Sequence, residues 1–348
     1  MSSLQKTVFF LFVVVFCLPS FVVGAQAESW SWTKVADNVN LQSLDMVNSA
    51  DGWGVGSEGT IVHWDGMRWN NVGSPTTANL RTVDMIGSNE VYAIAFAIGT
   101  PINESLIRWD GASWKNMTTP RSYLRSVDMI SSSVGWAVGY GGLTIRWDGI
   151  NWTQVESPTN TPLESISVIS ETDAWAVGSN KYDSGIFHWN GTGWSIVQSP
   201  EIVGTKKLWS VDMVSSSDGW AVGDGGIIIS WDGKTWKNVT SPIPADKHLF
   251  SVNMADSTDG WAVGSDGIII HWDGTSWSNV ASPTGAWLSC VDMVSSNDGW
   301  IVGADGVYHW QEIAVFPAVY LIIIIGVVAV VVVACFLLRK KLALSTLK

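Results

Sequence analysis

The chain has 348 residues, 47% of them hydrophobic and only 14% charged, with 31 acidic side chains against 19 Lys and Arg and a net charge of −12. That balance excludes a surface that grips nucleic acid through its phosphates, which needs a basic stripe. Of the three cysteines, Cys17 and Cys335 lie in the hydrophobic ends and only Cys290 lies between them, so no disulfide framework is available and packed apolar surface must hold the fold.

In chain order the first element is a leader. Lys6 precedes an apolar run from Val8 to Val23 and the small-x-small site Ala25-Gln26-Ala27, the pattern of a secretory signal over residues 1–27, with a retained signal anchor as the alternative. Next comes a short strand, Trp32-Thr33-Lys34-Val35, which matches Trp277-Ser278-Asn279-Val280 near the other end.

Seven copies of a unit of about 40 residues follow, opening at Leu41, Leu80, Leu124, Leu163, Leu208, Leu249 and Leu288. The copy at Leu208 shows the parts: Ser210-Val211-Asp212-Met213, then Trp220-Ala221-Val222-Gly223, then Ile227-Ile228-Ile229, then Trp236 to Val239. These are four short strands, with Gly-rich and Asp-Gly turns between them. Four-stranded antiparallel units at this period are propeller blades. The seventh copy ends at Trp310 without its last strand, and Trp32 to Val35 supplies it, so the predicted fold is an all-β, seven-bladed β-propeller closed by its N-terminal strand. Tryptophans repeat at the second-, third- and fourth-strand positions, which marks them as blade packing.

Beyond the repeats, Val315 to Leu338 contains no charged residue and as a helix would span about 36 Å, enough to cross a bilayer. Arg339, Lys340 and Lys341 follow it and mark the cytoplasmic side. The expected organisation is therefore a signal peptide at 1–27, an extracellular propeller at 28–314, a transmembrane helix at 315–338 and a cytoplasmic tail at 339–348, a single-pass type I protein of the cell membrane.

On the Gly-Trp-Ala-Val-Gly strand, the Asp-Gly turn and the following Trp (Gly219 to Gly223, Asp232-Gly233, Trp236), the chain resembles the Asp-box (BNR-type) propellers and, within them, the photosystem II assembly and stability factor family. The resemblance covers about residues 30–310 and implies the propeller fold. The chain departs from the pattern in an Asp-to-Trp spacing one residue shorter than in a standard Asp box (Asp232 to Trp236), in lacking a lipobox cysteine and in the added membrane span.

Little catalytic chemistry is legible. His63, His188, His271 and His309 all precede the third-strand Trp, one repeated position and not a cluster, which points to blade packing. Fifteen of the 31 acidic residues are likewise repeated. Five of them, Asp45, Asp84, Asp128, Asp212 and Asp292, sit on the innermost strands, where they either meet backbone and indole donors of adjacent blades or surround a Ca²⁺ ion in the channel; no other cofactor is implied. A sialidase-like glycosidase needs converging arginines, a Tyr–Glu pair and an acid/base Asp, and the arginines of the propeller segment are confined to the first three blades. No catalytic residue and no metal ligand is assigned.

Repeats carry an internal control, because a position that holds the fold stays the same in every blade. The residue after the opening Leu does not: it reads Gln42, Arg81, Arg125, Glu164, Trp209, Phe250 and Ser289. These positions begin the innermost strands at the rim of the central funnel. The candidate binding residues are a cationic arc, Arg81, Arg121 and Arg125, with Glu164, facing an aromatic arc, Trp209, Phe250 and Trp287. Asn103, Asn116, Asn151, Asn190 and Asn238 are glycosylation acceptors by sequence. The expected function is a monomeric, non-catalytic binding or assembly scaffold for a protein or glycan partner at the outward funnel face. A glycosidase and a photosystem-type assembly factor are the alternatives.

Overall fold

A computed structural model describes residues 29–37, 40–96, 106–121, 123–179, 185–201 and 203–313. The predicted signal peptide at 1–27, the membrane span at 315–338 and Asn103 lie outside them. The compact body runs from Trp32 to Gln311, and among the described residues 28 strands form seven four-stranded antiparallel sheets. In blade five the strands are Leu208–Ser215, Asp218–Gly223, Ile228–Trp231 and Trp236–Val239. First strands of successive blades contact one another all the way round, Leu41–Asn48 meeting Leu288–Ser295 to complete the circle. They form the innermost ring.

Closure follows the predicted route. Strand Ser29–Asp37 pairs with Gly306–Ile313 as the fourth strand of blade seven. The Thr33 hydroxyl donates to the His309 carbonyl (3.3 Å) and accepts from Gln311 Nε2 (2.7 Å). Trp32 is 3% exposed.

The repeated tryptophans assemble into aromatic trios, one at each boundary between blades. A second-strand ring packs against the third- and fourth-strand rings of the next blade: Trp53 on Trp109 and Trp114, Trp136 on Trp189 and Trp194, Trp175 on Trp231 and Trp236, Trp220 on Trp272 and Trp277, Trp261 on Trp310 and Trp32, and Trp300 on Trp64 and Trp69. Tyr92 shares a cluster with Trp147 and Trp152 at the one boundary without a second-strand Trp. The second- and fourth-strand rings meet edge-on, at 5.2 Å and 82° for Trp53 and Trp114, the quadrupole-favoured arrangement. Within the blade, the second-strand ring also carries the repeated histidine. Trp300 and His309 stack at 4.1 Å, and His309 Nε2 meets the turn carboxylate of Asp298 at 2.7 Å. His63, His188 and His271 pair in the same way with Asp51, Asp173 and Asp259.

A second set of contacts runs round the axis. The third residue after each opening Leu's bulge accepts the backbone N–H of the next blade's first strand: Asp45 from Met85 (2.5 Å), Asp84 from Met129 (2.9 Å), Asp128 from Val168 (2.6 Å), Ser167 from Met213 (3.1 Å), Asp212 from Met254 (2.7 Å), Asn253 from Met293 (2.8 Å) and Asp292 from Met46 (2.8 Å). Seven side chains thus tie seven blades head to tail. Loss of solvent pushes the acidic members up, to about 6 for Asp45 and Asp212 and about 7 for Asp128, with repulsion from other ring carboxylates adding to the rise at Asp84 and Asp292. On the side of the third-to-fourth strand hairpins, Asp232 Oδ1 accepts from the N–H groups of Lys234 (3.0 Å) and Thr235 (2.8 Å) while Gly233 turns the chain at φ +84°, the αL conformation that glycine adopts without strain.

Candidate functional site

The blade-variable position coincides with a defect in the sheets. In every blade the pairing of first and second strands slips between the opening Leu and the residue two further on, as from Leu208↔Gly223 to Ser210↔Val222. Gln42, Arg81, Arg125, Glu164, Trp209, Phe250 and Ser289 are therefore the extra residues of seven β-bulges. A bulge re-aims one side chain away from the ladder. All seven line a single cavity of about 480 Å³, together with Ser57, Asn79, Phe96 and Trp287.

One wall is cationic. Arg125, 9% exposed, directs one terminal nitrogen to Glu164 at 2.9 Å and the other to the Tyr140 hydroxyl, with its guanidinium 4.2 Å from the Tyr140 ring. Glu164 also receives Lys207 Nζ at 2.7 Å. Its carboxylate is spent on two cations. Arg81 lies over Phe96 at 5.3 Å and has no carboxylate within ion-pair distance among the described residues. Burial, and then repulsion from Arg125, hold its guanidinium below the ordinary arginine value. A desolvated cation beside a second cation is a place for an incoming anion.

Aromatic rings form the opposite wall. Trp209 and Phe250 meet edge-on at 5.8 Å, and Phe250 meets Trp287 at 5.8 Å. Asp224 fixes this wall from behind, its Oδ1 accepting from Trp209 Nε1 (2.7 Å) and lying 3.0 Å from His248 Nδ1. Lys207 lies 3.6 Å from the Trp209 ring centroid and so joins the two walls. Trp287 is 63% exposed.

Six of the seven predicted binding residues come together here. Arg121 does not. The segment ahead of Leu124 carries it away from the axis, and its Nε donates to Gln154 on the outer strand of its own blade (3.3 Å), beside a different groove. Lys207, Asp224 and Tyr140 are parts of the site that the sequence reading passed over. Lys207 stands one residue before an opening Leu, as Trp287 does, so extending the internal control by that one position would have found it; nothing in the sequence marks the other two.

The five ring carboxylates offered for Ca²⁺ each accept a backbone N–H of the next blade. No three His, Cys, Asp or Glu side chains converge closely enough for one ion among the described residues. Asn116, Asn151, Asn190 and Asn238 are exposed, on outer strands or third-to-fourth strand hairpins.

No protein-family model and no curated protein matches this chain. Solved structures do. YCF48 bound to D1 peptide has a TM-score of 0.65 at 17% identity, covering 85% of this chain and 99% of that one. YCF48 from Cyanidioschyzon merolae has a TM-score of 0.63 at 17% identity, covering 81% and 98%. The WD40 β-propeller domain of Doa1 has a TM-score of 0.64 at 12% identity, covering 82% and 96%. The likeness to photosystem II assembly factor propellers that the blade sequence carries is thus matched in three dimensions, and at these identities what the chain has in common with all three is the seven-bladed fold.

Proposed function

We propose that this protein is a non-catalytic scaffold, anchored as a type I protein on the outer face of a membrane by residues 315–338, that binds a segment of a partner protein in the funnel mouth. One observation carries the reading: seven bulges turn seven unlike side chains into one cavity, with an unpaired cation facing an aromatic wall. A carboxylate on Arg81, with an adjoining apolar side chain against Trp209 and Phe250, fits that division. YCF48, with the same fold, has been solved with a peptide bound, which supports a protein partner over a glycan at this mouth.

A glycosidase reading has two arginines and Glu164 in its favour. Against it, Glu164 is held by two cations, the Tyr140 hydroxyl pairs with Arg125 and not with Glu164, and no aspartate lines the cavity among the described residues. That arrangement lacks a free nucleophile or acid.

The test is capture of membrane proteins from the source cell by the full chain, compared with Arg81→Ala and with the pair Trp209→Ala, Phe250→Ala. Each variant should weaken the captured partner's binding about tenfold or more, with melting temperatures close to wild type. Undiminished capture by both would place the partner elsewhere. A partner drawn from a pigment complex would favour the photosystem-type assembly role, and sugar released from glycans would revive the hydrolase.

A further inference from the structure

A groove of about 640 Å³ lies beside the mouth on blade three. The scaffold reading makes no use of it. Three large aromatic side chains are well exposed among the described residues, and two of them, Tyr123 (47%) and Tyr140 (41%), stand in this groove with ring centroids 6.4 Å apart and planes at 88°. Exposed paired aromatics on an otherwise polar surface mark an interaction site.

Among the described residues, three other blades differ from this one at the groove. Its floor is Gly141, where an added Cβ would meet nothing within 4 Å. The matching position carries a side chain in blade one, Glu58, and in blade six, Asp266 in its ion pair with Lys247, while in blade five Lys206 Nζ lies 3.1 Å from where a Cβ on Gly225 would stand. The backbone sets Tyr123 apart as well. It holds φ +73°, while the matching residue has positive φ elsewhere only at Asn40 among the described residues. Asparagine accepts that conformation readily and a bulky aromatic does not, so Tyr123 is held out over the groove at a conformational cost.

Arg121, Gln154, Glu156 and Asn160 supply the polar lining. One cation and one anion offset each other there, and two amides present donors and acceptors together. Flat rings beside bidentate, nearly neutral hydrogen-bonding groups match the apolar C–H face and vicinal hydroxyls of a sugar ring better than they match an ion. We propose that this groove is a binding site for a neutral oligosaccharide, separate from the protein-binding mouth. The two sites touch through Arg125, which lines the mouth and donates to the Tyr140 hydroxyl in the groove.

The experiment is titration of the full chain, held in a detergent without a sugar headgroup, with cellohexaose, mannohexaose and maltohexaose, read by calorimetry. At least one should bind with a Kd between about 10 μM and 1 mM. Tyr123→Ala and Gln154→Ala should each weaken it about tenfold or more, and Trp209→Ala, in the mouth, should leave it unchanged. Gly141→Asp copies the residue that blade six tolerates at this conformation, so it should keep the wild-type melting temperature while filling the groove and removing the binding. Absence of binding by all three sugars at millimolar concentration would overturn the proposal. So would binding that survives Gly141→Asp, or that is lost only with Trp209→Ala.

Discussion

Trp220→Ala should cost about 3–5 kcal/mol of folding stability, the largest loss expected from any single change described above. Trp220 is 4% exposed and joins two blades through ring contacts at 4.6 Å to Trp272 and 5.4 Å to Trp277. Removing it leaves a cavity bounded by two rigid sheets that cannot close inward. Its indole N–H has no hydrogen-bond acceptor, so Trp220→Phe, which keeps most of the ring and surrenders no such bond, should cost much less. Urea unfolding of the propeller checks both. Similar losses for Ala and Phe would mean that the N–H and not the packing carries the effect, and a loss under about 1 kcal/mol for Ala would contradict the trio as the joint between blades.

Asp212→Asn should act in the opposite direction and stabilise the protein at pH 8. The carboxylate accepts the Met254 N–H but pays for its charge in lost solvation, which raises it to about 6. Asn253 performs the same role in the next blade with an amide oxygen, accepting from Met293 at 2.8 Å. The ring therefore needs an acceptor and not a charge. A rise of about two pH units corresponds to about 3 kcal/mol, and because the side chain keeps some open surface along the axis the expected gain is about 1–2 kcal/mol.

The same residues set the pH dependence. Asp45, Asp128 and Asp212 hold their protons more tightly folded than unfolded, so folding takes up protons between about pH 4, where an unfolded Asp titrates, and pH 7. Stability should rise as pH falls through that window. The hairpin carboxylates run the other way: hydrogen bonds and Lys237 lower Asp232, and hydrogen bonds bring Asp273 to about 2, so their contribution is lost only as pH falls below about 4. The melting temperature should be higher at pH 5 than at pH 8, with a smaller difference in Asp212→Asn. A higher melting temperature at pH 8 would contradict the ring's titration.

The architecture was legible because each feature of it is written seven times. Trp32 to Val35 could be assigned to blade seven because the seventh copy lacks what that segment matches. Half of the binding site was legible for the converse reason, since Arg81, Trp209 and Phe250 interrupt an otherwise constant pattern. What stayed hidden was direction. Arg121 is three residues from an opening Leu, yet it turns outward to Gln154, and Glu164, which the sequence places at the rim without naming a partner, is neutralised by Arg125 and by Lys207 from the next blade. Ion pairs between blades leave no trace in a single repeat. The ring acceptors show a milder form of the same limit, because the donor that each one meets belongs to a neighbouring copy.

Assigning the first strand to the last blade has a consequence for how the chain is made. Thr33 and its partner His309 are 276 residues apart, and at about 5–20 residues per second the ribosome needs roughly 15–55 s to deliver the second after the first. Throughout that interval Trp32 lacks Trp310, and for most of it the Trp261 ring as well, and the growing sheet array keeps a raw edge at each end. The finished ring resists fraying because its two ends lie in one blade, and for the same reason a newborn chain gains none of that protection until blade seven has been made. The period of greatest risk for this protein, when a chaperone would matter most, is therefore set by the separation of the two closing strands along the chain and not by the difficulty of any one blade.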